Sequence, residues 1–530
     1  MRKKTPTPPT LYLSSNIIQD NLKVGDTGTA TIQITENNID SWKNLSVNTG
    51  TSGLTVGSWV GDNFIRTATV SIGACNDGGD YPLTISQVEG DDFEPITQNI
   101  HVESAIVDYH VIDSNIDSKY LIPIDTPIYT SHDSPMQTHS SLLDLSRYAA
   151  DHNIEYGNFT IKGIINFGIL VGFDQSVRLY GEASGTIRLL EQTTTSFGIV
   201  VGSETNPEGN IYTGNMYIDN SLQCDISSSA DAYGVYFNST TASSTQTVNG
   251  TFTISSSKAY GSIFGVYFDS AAAGDIIING IFTISSSNYV NASGVYFNST
   301  VTGNITINGI FTVYVSSPAS YAIGVYFRST TAGSITINGT FFIISSSTSA
   351  SPAGSKAYGV YFNSTAAGDI TINGTFTISS STPNGDASGV WFKSTAAGST
   401  QTINGTFTIS ISSSYIRVYG VYFDYTAAGD ITINGTFTIS SSASANTNAY
   451  GVLFSFDTAS DITINGTFTI WSNANFASGV SFDYTVSGTK SGTPTFYSNK
   501  SDSGNWTAGG SVIENWNGSD SVASADSDLT

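Results

Sequence analysis

Between a valine and a phenylalanine this chain places, once per repeat, Tyr236, Tyr267, Tyr296, Tyr326, Tyr361, Trp391, Tyr422 and then Leu453. Alternate side chains of an extended strand face opposite ways, so Val and Phe share one face and the ring between them takes the other. Two orientations are open. With Val and Phe inward, the rings form an outward aromatic strip, and aromatic faces of this kind stack on sugar rings and serve recognition generally. With the rings inward, they stabilise the repeats by stacking on one another. Tyr296, Tyr326, Tyr361, Trp391 and Tyr422 are the candidate ligand contacts.

Acidic residues also align. Asp269, Asp424 and Asp483 share one repeat position with Asn238, Asn298 and Asn363, while Asp275, Asp369, Asp430 and Asp461 share another. Stacked carboxylates repel unless they are hydrated, separated or bridged by a cation such as Ca²⁺. Asp369, Asp430 and Asp461 are therefore candidate weak calcium ligands, with solvated turns as the plainer reading. The repeat lacks the Gly-Gly-x-Gly-x-Asp nonapeptide of calcium-binding β-rolls, and no other cofactor is implied. Carboxylate pairs do the work of glycoside hydrolysis. A pair that every repeat could offer singles out no active site, so no catalytic residue is assigned. His101, His110, His132, His139 and His152 lie before the repeats with loose spacing and no cysteine to assist, a poor zinc pattern. No nucleophile elbow, P-loop or dinucleotide fingerprint is present. The Asn-Gly-Thr and Asn-Ser-Thr triplets fit the glycosylation sequon, though the repeat itself accounts for them.

The elements that must position these residues come from the repeat. One copy runs from Gly359 to Ser381 and another from Gly420 to Ser442. The leading glycine recurs at Gly234, Gly265, Gly294, Gly324, Gly359, Gly389, Gly420, Gly451 and Gly479, in steps of 28 to 35 residues. A fixed period of this size marks an architecture in which each unit buries its apolar face against its neighbours. Each unit has three apolar segments, Val-Tyr-Phe, Ile-Thr-Ile and Phe-Thr-Ile. Alternation through Ile431-Thr432-Ile433 and Phe437-Thr438-Ile439 turns Ile and Phe inward and Thr to water. Asn-Gly separates the second and third segments at Asn249, Asn279, Asn308, Asn338, Asn373, Asn404, Asn434 and Asn465. Asn-Gly is also a strong hairpin signal, so an array of hairpins such as propeller blades is the rival architecture. Three short strands per unit favour a solenoid, with each Asn in a left-handed bend and its amide stacked in a corner ladder.

Coil length and the Asn corner make residues 158–490 resemble the right-handed parallel β-helix proteins: bacterial adhesins, autotransporter passenger domains, pectate-lyase-like enzymes and phage tailspikes. The fold expected is all-β, a parallel β-helix of about eleven coils of roughly 30 residues, preceded by a small β-sandwich. Residues 1–10 read as a disordered tail. Residues 11–104 carry alternating runs such as Ala30–Ile34, Thr67–Ile72 and Leu83–Ile85, separated by turn residues. The Asp77-x-Gly79-x-Tyr81 spacing is similar to the tyrosine corner of immunoglobulin-like domains, without their paired cysteines. Residues 105–157 read as a linker and N-terminal cap, with a helix from Ser141 in which Ser141 and Asp144 form a capping box. Residues 491–530 leave the pattern and read as a C-terminal cap and disordered tail. Insertions cluster between Ser-Ser-Ser and the next Gly-Val, the longest at residues 345–358, which decorates one edge.

The balance of 18 basic against 42 acidic residues gives a net charge of -24. That disfavours nucleic acid and anionic membranes as partners. Cys75 and Cys224 are too few for a disulfide scaffold. Met1-Arg2-Lys3-Lys4 resembles the start of a signal peptide, but prolines and no apolar core follow. No stretch approaches a transmembrane helix. The resemblance then implies a non-enzymatic, extracellular or cell-surface adhesin, with a virion surface as the alternative site. Its partners would be glycans or host or cell-surface proteins, bound weakly at each coil and strengthened by repetition. A carbohydrate-active β-helix enzyme, a tailspike-like depolymerase or lyase, is the alternative, and a passive spacer a third reading.

Overall fold

The computed structural model describes residues 110–498 apart from 124–125, 130–134, 138–139, 155–156, 173–175, 194, 203–213, 239–244, 258–259, 270–273, 288, 318–319, 347–354, 382–385, 394–398, 413–416, 425–428, 443–447, 456–460, 473–475, 483–488 and 493–494, together with short strands on either side. Residues 1–10, Cys75, Asp77, His132, His139, Asp483 and most of the 345–358 insertion lie outside the described residues. The chain divides into two compact units, Met1–Tyr109 and His110–Thr530.

Among its described residues the first unit contains two sheets. In one, Thr27–Ile34 and Ile65–Ile72 pair antiparallel, with Leu11–Leu13 on one side and Leu54–Val56 and Val60–Gly61 on the other. In the other, Gly79–Gln87 pairs antiparallel with Leu45–Asn48 and Ile96–Glu103, and Leu22–Lys23 joins Ile96–Glu103 in parallel.

The second unit is a parallel β-solenoid. One turn consists of Ile431–Ile433, Thr436–Ser441 and Asn448–Phe454. Each strand pairs in parallel and in register with its counterparts in neighbouring turns: Ile403, Ile433 and Ile464; Phe407, Phe437 and Phe468; Val421 and Val452. The hairpin alternative fails here, because the strands flanking Asn-Gly pair with neighbouring turns and not with each other. Asn434 N and Gly435 N both donate to Ile403 O, at 2.9 and 3.1 Å, so the corner belongs to the inter-turn ladder. None of the corner asparagines has a positive φ. The expected left-handed bend is therefore absent, because the following glycine and the ladder bonds turn the chain without it.

Among the described residues nine turns have all three strands, from Met216–Ile218, Gln223–Ser228 and Ala232–Phe237 to Ile462–Ile464, Thr467–Ser472 and Phe476–Phe482. The expectation of eleven counted two earlier units that are built differently. There Gly157–Ile165 and the 16-residue strand Val177–Gln192 run through the place where the corner should be. Neither contains Asn-Gly, so two segments merge into one strand, with a register shift between Lys162 and Ile164.

The interior consists of Ile, Val and Phe columns with almost no exposure. Phe252, Phe282, Phe311, Phe341, Phe376, Phe407, Phe437 and Phe468 stack at 4.7 to 5.0 Å with rings within 6° of parallel. Offset stacking adds about 0.5–1.5 kcal/mol per pair to the area each ring buries.

The solenoid sheets continue into the segment before the first turn. Leu142–Asp144 pairs antiparallel with Leu121–Ile122 and parallel with Gly168–Val171. Leu121–Ile122 and His110–Ile112 are the terminal strands of the two solenoid sheets at this end. The helix is shorter than expected, Leu145–Asp151, and Asp144 is its N-cap, accepting from Arg147 N at 3.1 Å. The Ser141 capping box does not form, because Leu142 and Leu143 are fully buried in the strand instead.

Candidate functional site

The strands ending in Val-Tyr-Phe stack into their own sheet, and the glycine in each resets their alternation. In Lys356–Phe362, Ala357, Val360 and Phe362 belong to the main core, while Tyr358 and Tyr361, three residues apart, do not. The paired register passes from Tyr358 to Val360 and omits Gly359. A Cβ on Gly359 would sit 2.4 Å from Gly389 O and 2.8 Å from the Phe376 ring. Only glycine lets the strand approach its neighbour this closely and step two positions inward.

The outer face of this sheet therefore carries two columns. The first is the ring strip already expected. Centroids are 5.3 Å apart for Tyr236–Tyr267, 5.2 for Tyr267–Tyr296, 4.8 for Tyr296–Tyr326, 4.9 for Tyr326–Tyr361, 5.3 for Tyr361–Trp391 and 5.1 for Trp391–Tyr422. The second column is the residue before each glycine: Tyr233, Phe264, Ser293, Ile323, Tyr358, Ser388, Tyr419 and Tyr450. Its existence is readable from the sequence only once the glycine is recognised as a step in the alternation.

Tyr233 and Tyr419 of the second column cover the first-column rings beside them, Tyr236 and Tyr422. Tyr419 stacks on Tyr422 at 4.4 Å, and Tyr422 is buried. Between Phe264 and Tyr358 the second column shrinks to Ser293 and Ile323, and a groove of about 460 Å³ opens. Of the five candidate contacts, Tyr296, Tyr326, Tyr361 and Trp391 line that groove and stay half-buried; Tyr422 lies outside it.

Two cations stand in the groove, Arg328 and Lys356. Arg328 occupies the repeat position held by Asp269, Asn298, Asn363 and Asp424. Its Nη1 donates to the Tyr296 hydroxyl at 3.4 Å and to Asn298 Oδ1 at 3.1 Å, both neutral acceptors. The Lys356 ammonium lies 3.9 Å from an Asp386 carboxylate oxygen and within 6 Å of the Tyr321 and Trp391 rings, at 5.7 and 5.6 Å. Burial pushes the Tyr326 phenol up to about 12, and the Tyr296 and Tyr361 phenols also upward, so all three rings are neutral donors near pH 7. No Asp or Glu lines the groove among the described residues.

The acidic positions are engaged in holding turns together. Asp369 Oδ1 accepts from Thr400 N at 2.9 Å, and Asp461 Oδ1 from Thr489 N at 2.7 Å. Asp275 does the same for Asn304 N at 2.9 Å. Asp430 is exposed at the equivalent corner. Among the described residues no three metal-ligating side chains converge. Asp269 is buried and accepts from the Tyr236 hydroxyl at 2.7 Å, the Tyr267 hydroxyl at 3.1 Å and the Asn298 amide at 2.8 Å. The His152 ring packs on Tyr148 at 4.2 Å in the cap, away from any ligand cluster.

No protein-family model matches the chain, and no curated protein does.

Proposed function

We propose that this chain is a non-enzymatic binding rod that takes glycans along the outer face of its Val-Tyr-Phe sheet. The groove over Ser293 and Ile323 carries the reading: half-buried rings in a row, with amide and hydroxyl groups at their margins, match the apolar faces and polar rims of sugar rings. On this reading the rod works outside the cell, at a cell or virion surface. The N-terminal unit would be an immunoglobulin-like module that joins the rod to its attachment, and the asparagine ladder is its structural spine. Corner carboxylates Asp369, Asp430 and Asp461 remain candidates for loosely held Ca²⁺.

A protein partner has its own supporting observation. Ile281, Ile310, Tyr314 and Phe342 are exposed together on the outer face of the Phe-Thr-Ile strands, in the same turns as the groove or next to them.

The test is retention of the full chain on immobilised polysaccharides and host-surface glycans, with released reducing ends assayed alongside. Retention without release, lost in Tyr361→Ala and Trp391→Ala, is the expected result. Release of sugar ends would make the chain an enzyme, and absence of both signals would sink the glycan reading.

A further inference from the structure

We propose that the groove selects glycans bearing a carboxylate, with Arg328 as the residue that reads the acid. This rests on the glycan-binding reading above and narrows it to a substrate class.

The chain has only 18 basic residues against 42 acidic ones, yet Arg328 and Lys356 line one groove. Both hydrogen bonds of the Arg328 side chain leave from Nη1, and both go to neutral oxygens. No carboxylate pairs with it among the described residues, so its charge is not neutralised locally. Anchoring through Nη1 leaves the Nε–Nη2 edge available, and that edge presents two parallel donors with the spacing of a carboxylate. Asn298 and Asn363, at the same position in the flanking turns, carry no charge.

A second, independent observation points to a bound polar group. The Tyr358 side chain lines the groove and is 1% exposed, yet its hydroxyl has no hydrogen-bond partner. A buried hydroxyl without a partner is costly; its oxygen has almost no accessible surface, so a ligand hydroxyl or ring oxygen would relieve it by shifting a ring that covers it. A sugar carries both. A simple carboxylate ion would use Arg328 and leave Tyr358 unsatisfied.

The net charge of -24 opposes any anion at long range. At physiological salt that field is screened beyond about 8 Å, whereas contacts inside the groove are not. Selection is therefore a short-range effect, and the affinity belongs to the groove rather than to the whole surface.

The experiment titrates the full chain at physiological salt, following heat and Trp fluorescence. The probes are oligogalacturonides and sialylated oligosaccharides, their methyl-esterified and desialylated counterparts, and a poly-glutamate peptide. The acid forms should bind, and removing the charge should weaken binding about tenfold or more. Arg328→Gln should erase that preference, bringing the acid forms down to the affinity the same variant shows for their neutral counterparts. Arg328→Lys should restore only part of it, because an ammonium keeps the charge and loses the fork. Arg328 is surface-exposed, and an unchanged circular dichroism spectrum and melting temperature in both variants would establish that they are folded. Equal binding of acid and neutral sugars would overturn the selection and keep the glycan reading. Binding of neither would overturn both. Binding of poly-glutamate without sugars would assign the groove to an acidic protein and overturn the proposal.

Discussion

Asn373 donates its side-chain amide to Asn338 Oδ1 at 2.9 Å and accepts from the Asn404 amide at 3.0 Å. The same bond repeats from Asn249 to Asn465 in seven links of 2.8 to 3.0 Å. Asn373→Ala removes two links and spares the backbone bond from Asn373 N to Ile337 O. These amides are exposed, so the loss should fall near the low end of hydrogen-bond values, about 1 kcal/mol in all. Asn373→Asp should cost more, because a carboxylate still accepts from Asn404 but faces the Asn338 oxygen with no proton to give. Urea midpoints should therefore rank wild type above Ala above Asp. An Asp variant as stable as Ala would show that the ladder contributes little.

Gly389 supports a sharper prediction. A Cβ there would lie 2.4 Å from Gly420 O and 2.6 Å from Phe407 Cδ1. The carbonyl belongs to a neighbouring turn and cannot retreat without disturbing the stack. Gly389→Ala should destabilise by about 1–3 kcal/mol through overpacking. Thr406→Ala, on the exposed face of the adjoining strand, should stay within about 0.5 kcal/mol. Equal midpoints for the two variants would contradict the glycine step.

The columns of tyrosine predict alkaline sensitivity. Burial raises the phenols of Tyr326 and Tyr422 from about 10 to about 12, and those of Tyr233, Tyr236, Tyr267, Tyr358 and Tyr419 upward as well. A folded-state value above the unfolded one means that the folded chain holds the proton more tightly. The associated stability is fully present below pH 10 or so and is lost as pH rises through 12. Phenolate absorbance and loss of β-sheet circular dichroism should thus appear together above pH 10. Complete phenolate formation near pH 10 with the sheet signal intact would show that the columns are open to water.

The inward phase of the solenoid was readable because Ile431, Ile433, Phe437 and Ile439 alternate strictly with threonines, and period two admits one choice of face. Turn count was harder. Val177–Gln192 keeps the apolar pattern but lacks the Asn-Gly that breaks it into two strands, so pattern alone overcounted the full turns. The cap helix began late because burial of Leu142 and Leu143 outweighed a local capping signal. The groove could not be seen in the first ring column, which is nearly uniform. It arises from the second column, where Ser293 and Ile323 replace rings, and that column shares a face with the first only because each glycine shifts the phase.

That origin makes the groove removable from within its own repeat. Ser293 is the position that holds Phe264 one turn earlier, and a ring there would lie between Phe264 and Ile323 over Tyr296. Ser293→Phe should fill part of the cavity with the packing that already covers Tyr236 and Tyr422. Its effect on the urea midpoint should be neutral or stabilising, since it buries apolar area on a face already built for it. Glycan retention should fall at least as far as in Trp391→Ala. Loss of retention at unchanged stability separates a filled site from a broken fold, a separation that truncation of Tyr361 or Trp391 cannot make because both rings also support the stack. If Ser293→Phe binds glycans as wild type does, the contact surface is elsewhere on the strip and the groove is a packing defect.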